Sequence, residues 1–471
     1  MLVLTLAILL IIAPAGAQAA PPAITDITAV PTEAGVEFVI KGSGDLEHRL
    51  LYYVNPSKII LELPGYTLDS GLKVPAVSGP GIQRVRLTQN QSGIKVAIDL
   101  YYPVPRSQVT VKKEPGGLRL VVPTLFEESR RIRVTPGVYY HQVTRGTPEG
   151  PIEINILELD PEVAQVKVET RLAQERTLGR EPLSAITKRA GALAGINGSF
   201  FSSDGTPLGL YIQDGRLITE PILHRTALAV TEEGKLLITP FGFSGKVRLG
   251  EVELPVSGLN RQRYTDELII YTPDRGETTE TNSFGFELVI IDGKVAERVR
   301  GDAAIPRNGY VVSGHGKYKD ILQGIEVGTP CTLQLETEPD WRRAKIRYAV
   351  GAGPQLVKNG QIQITADEES FKPDITQGKA PRSALGLTPS GKIVAVTVNG
   401  RKANISVGMT LEELAELMVE LGCEQALNLD GGGSVTMVIR DRPLNMPSDG
   451  RERQVSSAIL FIVNEDHKES F

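Results

Sequence analysis

The chain has 471 residues, 41% hydrophobic and 23% charged, a length and balance that suit two or three domains with real cores. Its net charge of −5, with both signs interspersed, excludes a general nucleic-acid binder. The 48 glycines and 31 prolines, against 11 phenylalanines and one tryptophan, point to a turn-rich, β-rich molecule.

The first twenty residues run apolar from Leu2 to Ala13 and end in small residues, with Ala17-Gln18-Ala19 fitting a cleavage site. That run is too short to span a bilayer with polar flanks, so residues 1–20 are expected to be a signal peptide and the protein to be exported. No other stretch is long and apolar enough to cross a membrane, so no stable span is expected after cleavage.

Residues 24–122 come in short bursts bounded by Gly, Pro or Asn-Pro, among them "GVEFVI", "KIILELPG", "GIQRVRLTQ" and "GIKVAIDLYYPV". This is the pattern of a small antiparallel β-sandwich, and it holds no cluster of His, Asp or Glu fit for chemistry. The order of bursts resembles the AMIN domain, a module attached to bacterial envelope enzymes. The resemblance implies attachment to cell-wall polymer, although relatives often carry Asp where Glu62 stands here. A spacer sandwich without a ligand is the plainer alternative.

Residues 123–137, "PTLFEESRRIRVTPG", are polar and charged and are expected to be a linker. From 138 to 465 an α+β domain is expected, mostly β with two main helices. The clearer helix is "TLEELAELMVELG" (410–422): Thr410 and Glu413 form a capping box, and Leu411, Leu414, Leu417, Met418 and Leu421 share one face. The weaker is "EPLSAITKRAG" (181–191), with Pro182 in a first-turn position. Two segments echo each other: "HRTALAVTEEGKLLI" (224–238) and "PRSALGLTPSGKIVAV" (381–396). So do the upstream hairpins "GLYIQDGRLI" and "GPQLVKNGQI", and each helix precedes a strand ending in a polar loop, "ALAGINGSFF" or "ALNLDGGGS". Two related halves around one cleft follow, with the parts permuted.

In "ALNLDGGGSVTM" (426–437) an apolar run ends in Asp430 and three glycines. A carboxylate at the carboxyl end of a buried strand is well placed for chemistry. Gly431, Gly432 and Gly433 can turn amides inward as an anion nest, with Ser434 and Thr436 adding hydroxyls and Asn428 an amide. An Asx-turn needing no ligand is the alternative. Arg382 in "APRSALG" offers a bidentate partner for phosphate; a lone arginine is more often a salt bridge. His224 and Arg225 hold the parallel position in "LHRTALA". "GINGSFFSSDG" adds Asn197 and Ser199, and "PSDGRER" adds Asp449 and Arg453. The five histidines make no zinc-type pair, which argues against a zinc amidase. A divalent cation (Ca or Mg) remains possible at Asp204, Asp374 or Asp430, though their spacing matches no known loop. Cys331 and Cys423 could be bridged or free.

"NGSFF", "GPQLVKNGQI", "APRSALGL", the capped helix, "ALNLDGGGSVTM" and "NMPSDGRERQVSSAILFIV" together resemble the phosphodiester glycosidase family, over roughly residues 135–465. The resemblance implies hydrolysis of a sugar-1-phosphodiester to free sugar and a phosphomonoester, with bacterial members linked to exopolysaccharide or wall polymers. It fits the chemistry: a phosphate leaves readily as an anion, so the second carboxyl of an ordinary glycosidase can be dispensed with. Asp430 and Arg382 are therefore the expected catalytic pair, Asp430 acting at the anomeric carbon while Arg382 and the glycine nest hold the phosphate. Asn197, Ser199, His224, Arg225, Asn428, Ser434, Thr436, Asp449 and Arg453 are expected to position or bind substrate. A non-catalytic binder or assembly factor for anionic envelope polysaccharide is the rival reading.

Overall fold

A computed structural model describes residues 21–77 and 79–463; the signal-peptide expectation at 1–20 lies outside them. The chain divides into two compact units between Phe126 and Glu127.

The first unit is the expected sandwich. One sheet has five strands, running Thr67–Leu68, Ala23–Thr32, Gly35–Gly42, Gly117–Pro123, Thr110–Glu114. The other has four, running Arg49–Tyr53, Lys58–Pro64, Gly93–Leu100, Ile82–Asn90. Alternation drives the packing: Ile59, Leu61 and Leu63 are buried on one face of Lys58–Pro64 and join Phe38, Ile40, Val96 and Ile98 in a single core.

The second unit is mostly β, organised around an eight-stranded sheet. Its order is Phe126–Thr135, Val138–Thr147, Gly150–Leu159, Ile393–Val398, Arg382–Leu387, Gln425–Asn428, Gln355–Lys358, Gln361–Ile362. The stretch expected as a linker thus contains the edge strand Phe126–Thr135. Its polarity has a physical reason, because only Val134 and Thr135 are buried, and charge along an exposed edge discourages pairing with other chains.

A second sheet runs Arg216–Thr219, Tyr211–Gln213, Ile346–Gly351, Thr226–Thr231, Leu236–Pro240. Here the sequence echo acquires a topology. In both sheets a single strand lies antiparallel between the two echoed hairpins, Ile346–Gly351 in one and Gln425–Asn428 in the other. The counterpart of "ALN" is therefore "RYAVG". The strand Ala194–Asn197 belongs instead to a third sheet, between Ser457–Ile462 and Met437–Ile439, so the expected pairing of "ALAGIN" with "ALNLD" is corrected.

Both expected helices form. Leu411–Glu420 has a complete capping box, the Thr410 amide donating to Glu413 Oε2 (2.9 Å) and the Glu413 amide to Thr410 Oγ1 (3.1 Å). Leu411, Leu414, Leu417 and Met418 are buried on the sheet. In Leu183–Ala190, Pro182 is the N-cap rather than a first-turn residue, and Gly191 closes the helix at φ 62°. A third helix, Lys317–Gln323, lay hidden in the sequence because Gly316 offers no capping side chain. Both cysteines are free and buried in separate cores.

Candidate functional site

Ala426–Leu429 is a fully buried run, and Asp430 follows at the strand's carboxyl end. Two neighbouring segments hold this point. The Leu429 amide donates to Ser383 O (2.8 Å) and the Asp430 amide to Gly198 O (3.2 Å), while Asn197 Nδ2 donates to Asp430 O (2.7 Å). Asp430 as a residue is half-buried, yet loss of hydration around its carboxyl pushes the pKa up to about 6. Hydrogen bonds from the Ser434 hydroxyl and the Gly431 amide (3.0 Å) and the charge of Arg453 oppose that rise without cancelling it. The carboxyl is therefore poised to gain and lose a proton slightly below neutrality.

Asn197, buried in its strand, is a staple. Its Oδ1 accepts from Ser383 Oγ (2.7 Å) and the Thr436 amide (3.1 Å), so one side-chain amide ties two strands to both ends of the Asp430 loop. Ser199, also buried, shares a hydrogen bond with Ser457 Oγ (2.8 Å). Asn428 Nδ2 donates to Gly353 O and Leu429 O, both at 2.9 Å. Asn428 Oδ1 and Thr436 Oγ1 are buried without a partner among the described residues, a costly state for polar atoms.

The three glycines do not form the expected nest. The Gly431 amide is used by Asp430 itself, the Gly432 amide by Pro381 O (3.0 Å), and the following Ser434 amide by Gly431 O (3.2 Å). Of the three glycine amides, that of Gly433 is the one left without a partner among the described residues. Steric reasons explain the glycines better. Gly432 has φ 60°, and a Cβ there would stand 3.1 Å from the Arg401 guanidinium. A Cβ on Gly433 would collide with the Arg453 guanidinium and the Asp449 carboxylate, which pair with each other at 2.7 Å. Bare backbone here lets two arginines close on the turn.

Arg382 is not one of them. Strand neighbours point to opposite faces, and Ser383 takes the face that reaches Asn197. The buried Arg382 guanidinium donates to Met409 O (3.0 Å), Ile375 O (2.8 Å) and Gly378 O (3.1 Å), and burial lowers its pKa. With one donor on each of its three nitrogens committed to main-chain carbonyls on the face opposite Ser383, Arg382 braces the adjacent loops rather than acting as the expected clamp on phosphate.

Arg225 behaves similarly, donating to Glu369 O (3.2 Å) and Ser370 O (3.4 Å) while lying 3.9 Å over the Phe371 ring. His224 is exposed beside Gly242, on a separate cleft. Arg401 was missed in the sequence. Its exposed guanidinium has no hydrogen-bond or ion-pair partner among the described residues. Nothing local marks "NGRKANIS"; only the fold brings Arg401 to Gly432. Asp204 closes its own turn through Ser202 and Thr206, and Asp374 is exposed on Pro373–Thr376. Among the described residues no three His, Cys, Asp or Glu side chains gather as a metal site.

Residues 284–462 match the family model described as phosphodiester glycosidase, and residues 26–122 match that of the AMIN domain. The first unit is thus similar to the AMIN domain, and residues 284–462 of the second unit are similar to the phosphodiester glycosidase domain. The first match includes Arg382, Arg401, Asp430 and Arg453; Asn197, Ser199, His224 and Arg225 precede it.

Two curated relatives and one solved structure give the particulars. The SPbeta prophage-derived uncharacterized protein YomE of Bacillus subtilis (strain 168) is 36% identical over 92 residues, covering 20% of this chain and 14% of its own. The N-acetylglucosamine-1-phosphodiester alpha-N-acetylglucosaminidase of Mus musculus is 25% identical over 192 residues, covering 36% of this chain and 33% of its own. The chain therefore spans about a third or less of these relatives. A hypothetical protein from Synechocystis shares the fold, with 22% identity and a TM-score of 0.65 over 94% of this chain and 81% of that one.

Proposed function

We propose that the chain is an exported hydrolase that cleaves the glycosyl–phosphate bond of sugar-1-phosphodiesters in cell-wall or exopolysaccharide material. The observation that carries this reading is Asp430: a carboxyl with a pKa of about 6, next to a bare-backbone turn on which Arg401 and Arg453 converge. Above that pKa the carboxylate is a stronger base than an ordinary aspartate and remains mostly ionised at neutral pH. It takes a proton from water as the water oxygen bonds to the anomeric carbon. The carbon–oxygen bond to phosphate breaks, and its electron pair leaves with the phosphomonoester. Arg401, Arg453 and the Gly433 amide bear the charge that grows on the phosphate oxygens. Asn197 and Ser199 act by holding the loop. The AMIN domain anchors the enzyme to wall polymer.

The test is incubation with UDP-GlcNAc, teichoic-type polymers and other glycosyl phosphates, following free sugar and new phosphomonoester. Equal release of both from at least one substrate, abolished by Asp430→Asn, supports the reading. No release from any of them, or undiminished release by the variant, refutes it and leaves the binder.

A further inference from the structure

A second cleft, about 680 Å³ in volume, opens in the second unit. Its walls include Leu208, Leu223, His224, Phe243 and Tyr264. Three of these are large apolar or aromatic side chains left in solvent: Leu223 and Tyr264 are each 57% exposed and Leu208 37%. Such a concentration in one concave place is unusual for a surface that faces water alone. The backbone adds a second sign. Leu223 (φ 51°) and His224 (φ 53°) are consecutive residues in left-handed conformation, a cost of roughly 1–3 kcal/mol each that surrounding structure must offset. That strain holds Leu223 out and His224 against Gly242, where a Cβ would stand 2.6 Å from the imidazole.

The floor decides the ligand's charge. Arg261 donates to Glu220 (2.5 Å) and, with both terminal nitrogens, to Glu267 (2.7 and 2.9 Å). Two carboxylates share one guanidinium, and burial raises the pKa of Glu220, so Arg261 is fully paired and no unpaired lysine or arginine lines the cleft. A phosphate finds no free cation there, whereas hydroxyls can share the carboxylate oxygens. Apolar and aromatic side walls over such a floor match a sugar, which has C–H faces and hydroxyl edges.

The cleft is separate from the site but tied to it through main-chain hydrogen bonds. The Asp430 amide bonds Gly198 O, and two residues on Phe200 O accepts from the amide of Leu208 (2.8 Å) on the cleft wall. Chain geometry then puts Leu208 at most about 17 Å from Asp430. The Phe200 and Phe371 rings (5.7 Å between centroids), with Phe371 close to Gly353 and under Arg225, pack between the Gly353–Asn428 contact and the segment of His224. We infer that this cleft is a subsite for the uncharged sugar chain of the substrate, gripping polymer that extends from the unit cleaved at Asp430. This deepens the proposed function and rests on it for the word substrate; the binding of neutral glycan does not.

The test uses the full chain and four neutral probes: chitotetraose, cellotetraose, maltotetraose and glycan strands stripped of peptide from peptidoglycan. Binding is measured by calorimetry for the wild type, Tyr264→Ala, Leu223→Asn and Asp430→Asn. Asn tolerates the left-handed backbone, so Leu223→Asn removes the apolar contact without adding strain. At least one probe should bind, weakened tenfold or more by Tyr264→Ala and Leu223→Asn, unchanged by Asp430→Asn and not displaced by inorganic phosphate. Binding of none overturns the inference. So does binding untouched by the two cleft variants, which would place it in the AMIN domain, or displacement by phosphate. With an active substrate in hand, Tyr264→Ala should raise KM for polymer and leave KM for a small glycosyl phosphate unchanged. Failure of hydrolysis alone sinks the proposed reaction but not this subsite.

Discussion

The two sheets that share the hairpin–strand–hairpin arrangement differ in what their central strands deliver. Ile346–Gly351 ends on a Gly351-Ala352-Gly353 turn with no ionisable group, whereas Gln425–Asn428 ends on Asp430 and its glycine turn. Their paired arginines, by contrast, are alike. Arg225 and Arg382 each open an echoed strand or directly precede it, and each donates to the carbonyls of a nearby loop. The hydroxyls beside them diverge: Thr226 binds the buried Glu369 carboxylate, and Ser383 binds Asn197 at the site. A repeated frame has kept its braces on both sides and put chemistry on one.

The sharpest way to break this comparison is at Asp430. Asp430→Asn should lower turnover roughly 10²–10⁴-fold, as loss of a positioned base does, with the fold retained by circular dichroism. An equal loss from a substitution at Ala352 would mean both strand ends work. Next come the arginines at the turn. Arg401→Ala and Arg453→Ala should each cost roughly 10²-fold in kcat, because each removes a donor from growing negative charge. Arg382→Met should behave differently. It removes the guanidinium that ties the Ile375, Gly378 and Met409 carbonyls together and should destabilise the second unit by about 2–4 kcal/mol in urea melts, while the folded fraction keeps most of its kcat. Arg225→Met, at a half-buried position with longer bonds, should cost less.

A smaller effect separates stability from activity. A carboxyl whose folded pKa lies above its ordinary value of 3.8 binds its proton more tightly in the folded state. Stability is therefore lost as pH rises from about 4 to about 6, and the full penalty persists above that. Asp430→Asn removes the penalty, so near pH 8 the variant should melt later, by up to about 3 kcal/mol, and near pH 4 at the same temperature as the wild type.

Much of this frame was legible. Thr410 and Glu413 announced a helix, alternating residues announced the sandwich, and "ALNLD" announced a buried strand with an acid at its end, because each signal is local. What stayed hidden depends on partners far along the chain. Arg382 looked available because its carbonyl acceptors at 375, 378 and 409 carry no side-chain signature. The glycines looked like a nest because sequence does not reveal that Pro381 O already holds the Gly432 amide, or that Arg401 and Arg453 fill the space their missing Cβ atoms leave. The edge strand at 126–135 read as a linker because an exposed edge and a connector favour the same charged residues.

The pH dependence of kcat/KM on the first glycosyl phosphate found to turn over tests the central claim most directly. A rate that falls tenfold per pH unit below about pH 6, and levels off above it, is expected of Asp430 acting as the carboxylate. A profile flat from about pH 5 to 7, or one that rises toward acid, would contradict it.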